Sequence, residues 1–97
     1  MKKEKLKEIN FYIGSNNKTG EIDLNIIEAE FNKLFKGYTI LNSFGYWEAS
    51  KEKSILIKVL SDLNKTNLIN FTQHLKRELK QYCILITINN NLNIYNI

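Results

Sequence analysis

The chain has 97 residues, 43% of them hydrophobic, and a formal net charge of +4, a length that suits one domain and leaves no room for a second. It contains no proline, four glycines and a single cysteine, Cys83, which excludes an intramolecular disulfide and a cysteine metal cluster. No apolar run approaches the ~18 residues of a membrane span, and INFYIG is too short for the apolar part of a secretory leader, so a cytoplasmic, reducing location is expected.

Asn (14), Lys (13) and Ile (14) supply 41 residues, whereas arginine occurs once, as Arg77. Such a bias follows from an A/T-rich coding sequence and, with the small size, points to a low-GC bacterium or one of its phages. The three N-x-S/T matches, at Asn17, Asn64 and Asn70, are what so much asparagine produces by chance and are not read as glycan sites. The basic excess is diffuse: Lys2, Lys3, Lys5 and Lys7 alternate with Glu4 and Glu8, and Lys51 and Lys53 flank Glu52. A lysine-rich solvated surface accounts for it, with only a mild preference for an anionic partner.

After a basic segment over residues 1–7, strict alternation over Glu8–Gly14 predicts a strand with Ile9, Phe11 and Ile13 on one face and Asn10 and Tyr12 on the other. A polar turn runs from Gly14 to Gly20. A helix follows, capped by Asp23, with Leu24, Ile27, Phe31, Leu34 and Phe35 on one stripe and Gly37 as a positive-φ stop. Tyr38–Trp47 reads as a second strand, 48–53 as a charged connection, and Ser54–Leu60 as a third strand. A second helix is predicted to Gln81, with Leu68, Phe71, Leu75, Leu79 and Tyr82 at helical spacing. Cys83–Ile88 is the most β-prone run, and residues 89–97 form an asparagine-rich hairpin or tail whose Leu92–Ile97 segment suits a short fifth strand.

The order β-α-β-β-α-β predicts one α+β domain over 1–97, a ferredoxin-like plait with two helices on one face of an antiparallel sheet. Its uncovered face should be polar, yet Tyr12, Leu56, Leu60, Leu85 and either Leu41 or Ile40 fall there. Such a patch marks an interaction surface, and a homodimer through it, built on Tyr12, Leu56, Leu60 and Leu85, is expected ahead of coverage by the terminal segment or a foreign protein.

The chemistry-bearing residues are few. Cys83 heads an apolar strand and reads as a core thiol, His74 lies on a helix flank, and Glu28 and Glu30 fall on exposed helix positions. No catalytic pair and no metal ligand set stand out, and no cofactor is implied. Lys18-Thr19 precedes Gly20, so the Gly14–Gly20 loop fails the phosphate-loop pattern and offers at most backbone amides and Lys18 to an anion. Phe11-Tyr12-Ile13-Gly14 is similar to the first motif of an RNA-recognition module, but Ser54–Leu60 lacks the aromatic platform of its third strand. Tyr46 and Trp47, beside Lys51 and Lys53, suit either packing on the sheet's end or a binding hot spot.

Tyr12-Ile13-Gly14, Gly37-Tyr38-Thr39-Ile40-Leu41, Gly45-Tyr46-Trp47 and Glu52-Lys53-Ser54 together resemble a family of small uncharacterised bacterial α/β proteins. The resemblance spans Ile9 to Ile88. It implies the same fold, supplies no activity, and singles out Trp47 and Ser54. The sequence therefore predicts a small non-enzymatic binding protein, encoded by a phage, that inhibits a bacterial antiviral defence. It would dock on a host effector or sequester a nucleotide signal through Tyr12, Lys18, Tyr46, Trp47 and Lys51. A nucleic-acid-binding module and a small enzyme are the alternatives.

Overall fold

Ile9, Phe11 and Ile13 are buried while Tyr12 between them is exposed, so the alternation seen in the sequence is the alternation of a central strand with one covered face. In the computed structural model, which describes residues 2–4, 6–16, 18–91 and 94–96, the elements are β1 (Lys2–Glu4), β2 (Lys7–Gly14), α1 (Leu24–Leu34), β3 (Thr39–Trp47), β4 (Ser50–Ser61), α2 (Lys65–Glu78), β5 (Leu85–Asn89) and β6 (Ile94–Asn96). Four strands form an antiparallel sheet in the order β3-β4-β2-β5. With α1 and α2 packed on one side, this is the ferredoxin-like plait the element order demands.

The two end strands make a separate ladder, Lys2 opposite Asn96 and Glu4 opposite Ile94. The expected fifth strand thus exists at Ile94–Asn96, but it pairs with the chain's first segment and not with the main sheet. The first of these strands, Lys-Lys-Glu, is not legible from propensity, because such residues carry no β signal of their own, whereas Ile94 and Tyr95 do. Asn17, Leu92, Asn93 and Ile97 lie outside the described residues.

Aromatic rings hold the layers together. Phe11 on β2 meets Phe31 of α1 edge-on at 5.0 Å and Phe71 of α2 at 5.9 Å, and Phe31 meets Phe71 at 5.1 Å. Ile27, Leu68 and Leu75 fill in from the helices, and Ile55, Ile57 and Val59 from β4. Both helices start where the sequence provides a cap: Asp23 accepts the Ile26 amide at 3.2 Å and Asn64 accepts the Asn67 amide at 2.8 Å.

The helix ends depart from expectation. α1 stops at Leu34, and Phe35 turns into extended backbone (φ −118°) that carries its ring onto Phe11 and Phe31, so Gly37 adopts no positive φ. α2 stops at Glu78. The Gln81 amide bonds Lys76 O at 3.0 Å and the Lys80 amide bonds Arg77 O at 3.2 Å, with Lys80 at φ 55°. That is the left-handed cap usually given to glycine, formed here by a lysine. It swings the chain off the helix axis, which leaves Tyr82 87% exposed and Cys83 exposed. The core positions expected for both are therefore corrected.

The charged connection at 48–53 contracts to a two-residue turn, Glu48-Ala49, both at positive φ (48° and 65°), and β4 starts at Ser50. Primed turns suit tight hairpins because their twist matches the strands, but they favour Asn-Gly over Glu-Ala. Replacing Ala49 or Lys80 by glycine relieves a left-handed strain of about 1 kcal/mol. Each substitution should raise the melting temperature by about 4–8 °C. A fall in either would show that the side chain contributes more than its backbone costs.

Candidate functional site

Opposed residues in an antiparallel pair share a face, so the register defines the uncovered side of the sheet. One cross-strand row runs Leu41, Leu56, Tyr12, Leu85 over all four strands, an apolar ridge one residue wide. On one side lies the polar row Thr39, Lys58, Asn10, Thr87, where Asn10 Nδ2 donates to Thr87 Oγ1 at 3.3 Å. On the other lies a row of small residues, Ser43, Ser54 and Gly14, with the two serine hydroxyls 2.6 Å apart. Among the described residues nothing roofs the ridge, and Leu85 is 62% exposed, so the face is as open as the sequence implies.

The step from ridge to small row makes a concavity of about 390 Å³. Gly14, Ser43, Gly45 and Ser54 line its low side, Tyr12 and Leu56 its ridge side, and Trp47 and Glu52 the end towards the hairpin. At Gly45 a Cβ would make ordinary contact with Ser54 Oγ at 3.8 Å, so the low side has room for a methyl group. Glu52 is the one acidic or basic side chain in the lining. The open face therefore offers this concavity the rings of Tyr12 and Trp47, a hydroxyl pair and a single carboxylate, and the lining holds no cation.

Three of the residues singled out in the sequence meet here: Tyr12, Tyr46 and Trp47 all line the concavity, and Trp47 is 70% exposed. Two do not. Lys51 sits with its Nζ 4.0 Å from the Phe44 ring centre, and Lys18 lies in the turn where its amide bonds Asn16 Oδ1 at 2.8 Å. The Gly14–Gly20 loop, read from the sequence as a connection with at most its amides and Lys18 to offer an anion, has acidic residues around it. Asp23 caps α1 with its own carboxylate, and the small cavity beside the loop, about 180 Å³, is lined by three acidic residues, Glu21, Asp23 and Glu78, against the one basic residue Lys80. Sequence reasoning missed Glu52 by leaving it in a loop. Counting back from Leu56 and Ser54 in steps of two places it on the open face once the turn is known to be short.

Glu30, expected to be exposed, has a side chain only 14% accessible and links the helices: Lys33 Nζ lies 3.1 Å from Oε1 and His74 Nε2 2.9 Å from Oε2. The Lys33 hydrogen bond, more than the charge of Lys33 or His74, holds the Glu30 carboxyl below its ordinary 4.5. A carboxyl depressed on folding stabilises fully above its unfolded pKa and loses that contribution as the pH falls through the folded value. Glu30→Gln should therefore melt below the parent at pH 7, with the gap closing between pH 5 and 3 as the parent protonates. A gap independent of pH would assign the loss to packing alone.

No family model and no curated protein matches the chain. Solved structures do. The chain is similar to a phage SAM lyase in its apo state (12% identity, TM-score 0.66, 92% of this chain and 84% of that one). It is also similar to a phage SAM lyase in complex with S-methyl-5'-thioadenosine (12%, 0.59, 95% and 86%). A DUF3240 family protein from Shewanella baltica gives 10% identity, a TM-score of 0.63, and 94% and 96% coverage. At such identities the likeness shows the fold. The bacterial DUF3240 protein agrees with the sequence resemblance at the level of architecture. The two lyase structures overturn the expectation of a non-enzymatic protein, which rested on the lack of a nucleophile or acid–base pair: enzymes stand among the neighbours that share this plait.

Proposed function

We propose that the protein is a phage-related anti-defence enzyme that acts on an adenosyl sulfonium, such as S-adenosylmethionine, bound in the concavity between Tyr12 and Trp47. The observation that carries this is the lining itself: aromatic rings together with one carboxylate, Glu52, and no basic group. A phosphorylated nucleotide needs cations that are not there, which weighs against sequestration of a nucleotide signal. A sulfonium needs what is there: a ring face for the purine, a ring face or carboxylate for the positive sulfur, and hydroxyls for the ribose. The phage SAM lyases of the same fold, one of them holding S-methyl-5'-thioadenosine, support the ligand class.

The reaction class explains why the sequence shows so little catalytic equipment. When the carbon–sulfur bond of a sulfonium breaks, the electron pair stays on sulfur and the leaving group departs as an uncharged thioether. No general acid is required: the substrate's own carboxylate oxygen attacks the carbon that leaves sulfur, the new carbon–oxygen bond closes a lactone as the carbon–sulfur bond breaks, S-methyl-5'-thioadenosine departs, and the protein supplies no nucleophile. What remains for the protein is to fold the substrate into a reactive shape and to strip water from it, which a rigid aromatic trench can do. Tyr12 and Trp47 hold the purine and the sulfonium, Ser43 and Ser54 face the sugar, and Glu52 selects for positive charge.

The test uses calorimetry and product analysis with S-adenosylmethionine, its neutral thioether counterpart S-adenosylhomocysteine, and ATP. The sulfonium should bind best and ATP least, S-methyl-5'-thioadenosine should accumulate, and Trp47→Ala should weaken binding by about tenfold, on the order of 1–2 kcal/mol. Glu52→Gln should reduce the preference for the charged ligand while leaving the neutral one unaffected. Tighter binding of ATP, or no heat and no product at millimolar sulfonium, would reject the assignment.

A further inference from the structure

The strand β3 forms one edge of the sheet and pairs only with β4 among the described residues. Its sequence, Thr-Ile-Leu-Asn-Ser-Phe-Gly-Tyr-Trp, runs nine residues without a charge or a proline, and its register with β4 is unbroken from Thr39 to Trp47. Proteins blunt free edges with lysines, prolines, bulges or brevity, because unpaired amides and carbonyls template another strand. None of those devices is present. The opposite edge, β5, has five residues and is blunted by its shortness.

We propose that the free edge of β3 pairs with β3 of a second copy of this chain, antiparallel about a two-fold axis through Ser43. The sizes of the side chains pick that occupant and that register. Reflection through Ser43 sets Leu41 opposite the partner's Gly45 and Trp47 opposite the partner's Thr39 on the open face, so each bulky residue meets a small one. On the helix side Phe44 faces the partner's Asn42 and Tyr46 faces the partner's Ile40. Phe44 (62%), Tyr46 (68%) and Trp47 (70%) are the large side chains this pairing would shelter. A foreign peptide would need no such palindrome of sizes, whereas an isologous pair requires self-complementarity. The edge takes precedence over the flat face as a joining surface, because on the face the Asn10–Thr87 and Lys58–Glu8 pairs break up the apolar ridge's surroundings. This inference does not depend on which ligand the concavity takes.

Charge at position 42 reads out the pairing. Asn42 is exposed, and Lys51 lies over the Phe44 ring that would face it across the axis. In sedimentation equilibrium the parent should be dimeric. Asn42→Lys should weaken association by roughly tenfold and Asn42→Glu should strengthen it, both effects shrinking with salt. In a Cys83→Ser background, Ser43→Cys should form an intermolecular disulfide on mild oxidation, since opposed residues sit about 4.5–5.5 Å apart between Cα atoms. Asn42→Cys, displaced by two positions from its own copy, should cross-link far less. A parent that stays monomeric at 100 µM, equal cross-linking at both positions, or a dimer indifferent to charge at 42 but dissociated by Leu85→Lys would overturn the proposal.

Discussion

Phe11 is the point on which the layers converge. It sits mid-way along the central strand and meets Phe31 of the first helix, Phe35 just beyond that helix's end and Phe71 of the second, all edge-on. Edge-to-face rings gain about 0.5–1.5 kcal/mol per pair beyond the area they bury, and their quadrupoles fix angles as well as distances. The helices otherwise meet through little besides this cluster and the Glu30–His74 pair, so the rings set where both helices lie. With that side of the sheet occupied, Tyr12 and its row have no interior left to enter. The exposed ridge is the geometric remainder of a core that closes on one face only.

Much of this was legible in the sequence because periodicity is a property of faces. Ile9, Phe11 and Ile13 repeat every second residue, Ile27, Phe31, Leu68 and Leu75 every third or fourth, and the structure buries all of them. The cap of the first helix was legible too, since Asp23 carries the oxygen the first amides need, whereas the Asn64 cap of the second was passed over as part of a turn. Ends governed by backbone strain were not: Lys80 takes a left-handed conformation that its identity argues against, and the misplacement of Tyr82 and Cys83 follows from that one dihedral. Gly37 erred the opposite way, because the burial of Phe35 ended the helix before a glycine was required.

The candidate site shows the same division. Tyr12 and Trp47 are visible as large residues at open-face positions, and their meeting needs only the correct register. Lys18 and Lys51 were grouped with them by chemistry rather than by geometry, and the structure commits Lys51 to Phe44 and leaves Lys18 in its turn. Glu52 was hidden by a loop boundary four residues out of place, at Ser54 instead of Ser50. One misjudged turn thus inverted the apparent charge of the site, from two lysines to one carboxylate, and with it the class of ligand the surface suits.

The position of β2 bears on how the chain is made. Its neighbours β4 and β5 come from far downstream, with Tyr12 opposite both Leu56 and Leu85. During translation this strand waits, apolar on one side, with one edge unpaired until β4 leaves the ribosome and the other unpaired until β5, the last main-sheet strand, follows. Only the hairpin of β3 and β4 can assemble locally in the meantime, around its two-residue turn. The nascent protein therefore passes through an interval in which its most buried segment is its most vulnerable to aggregation, the kinetic cost of placing the earliest strand at the centre.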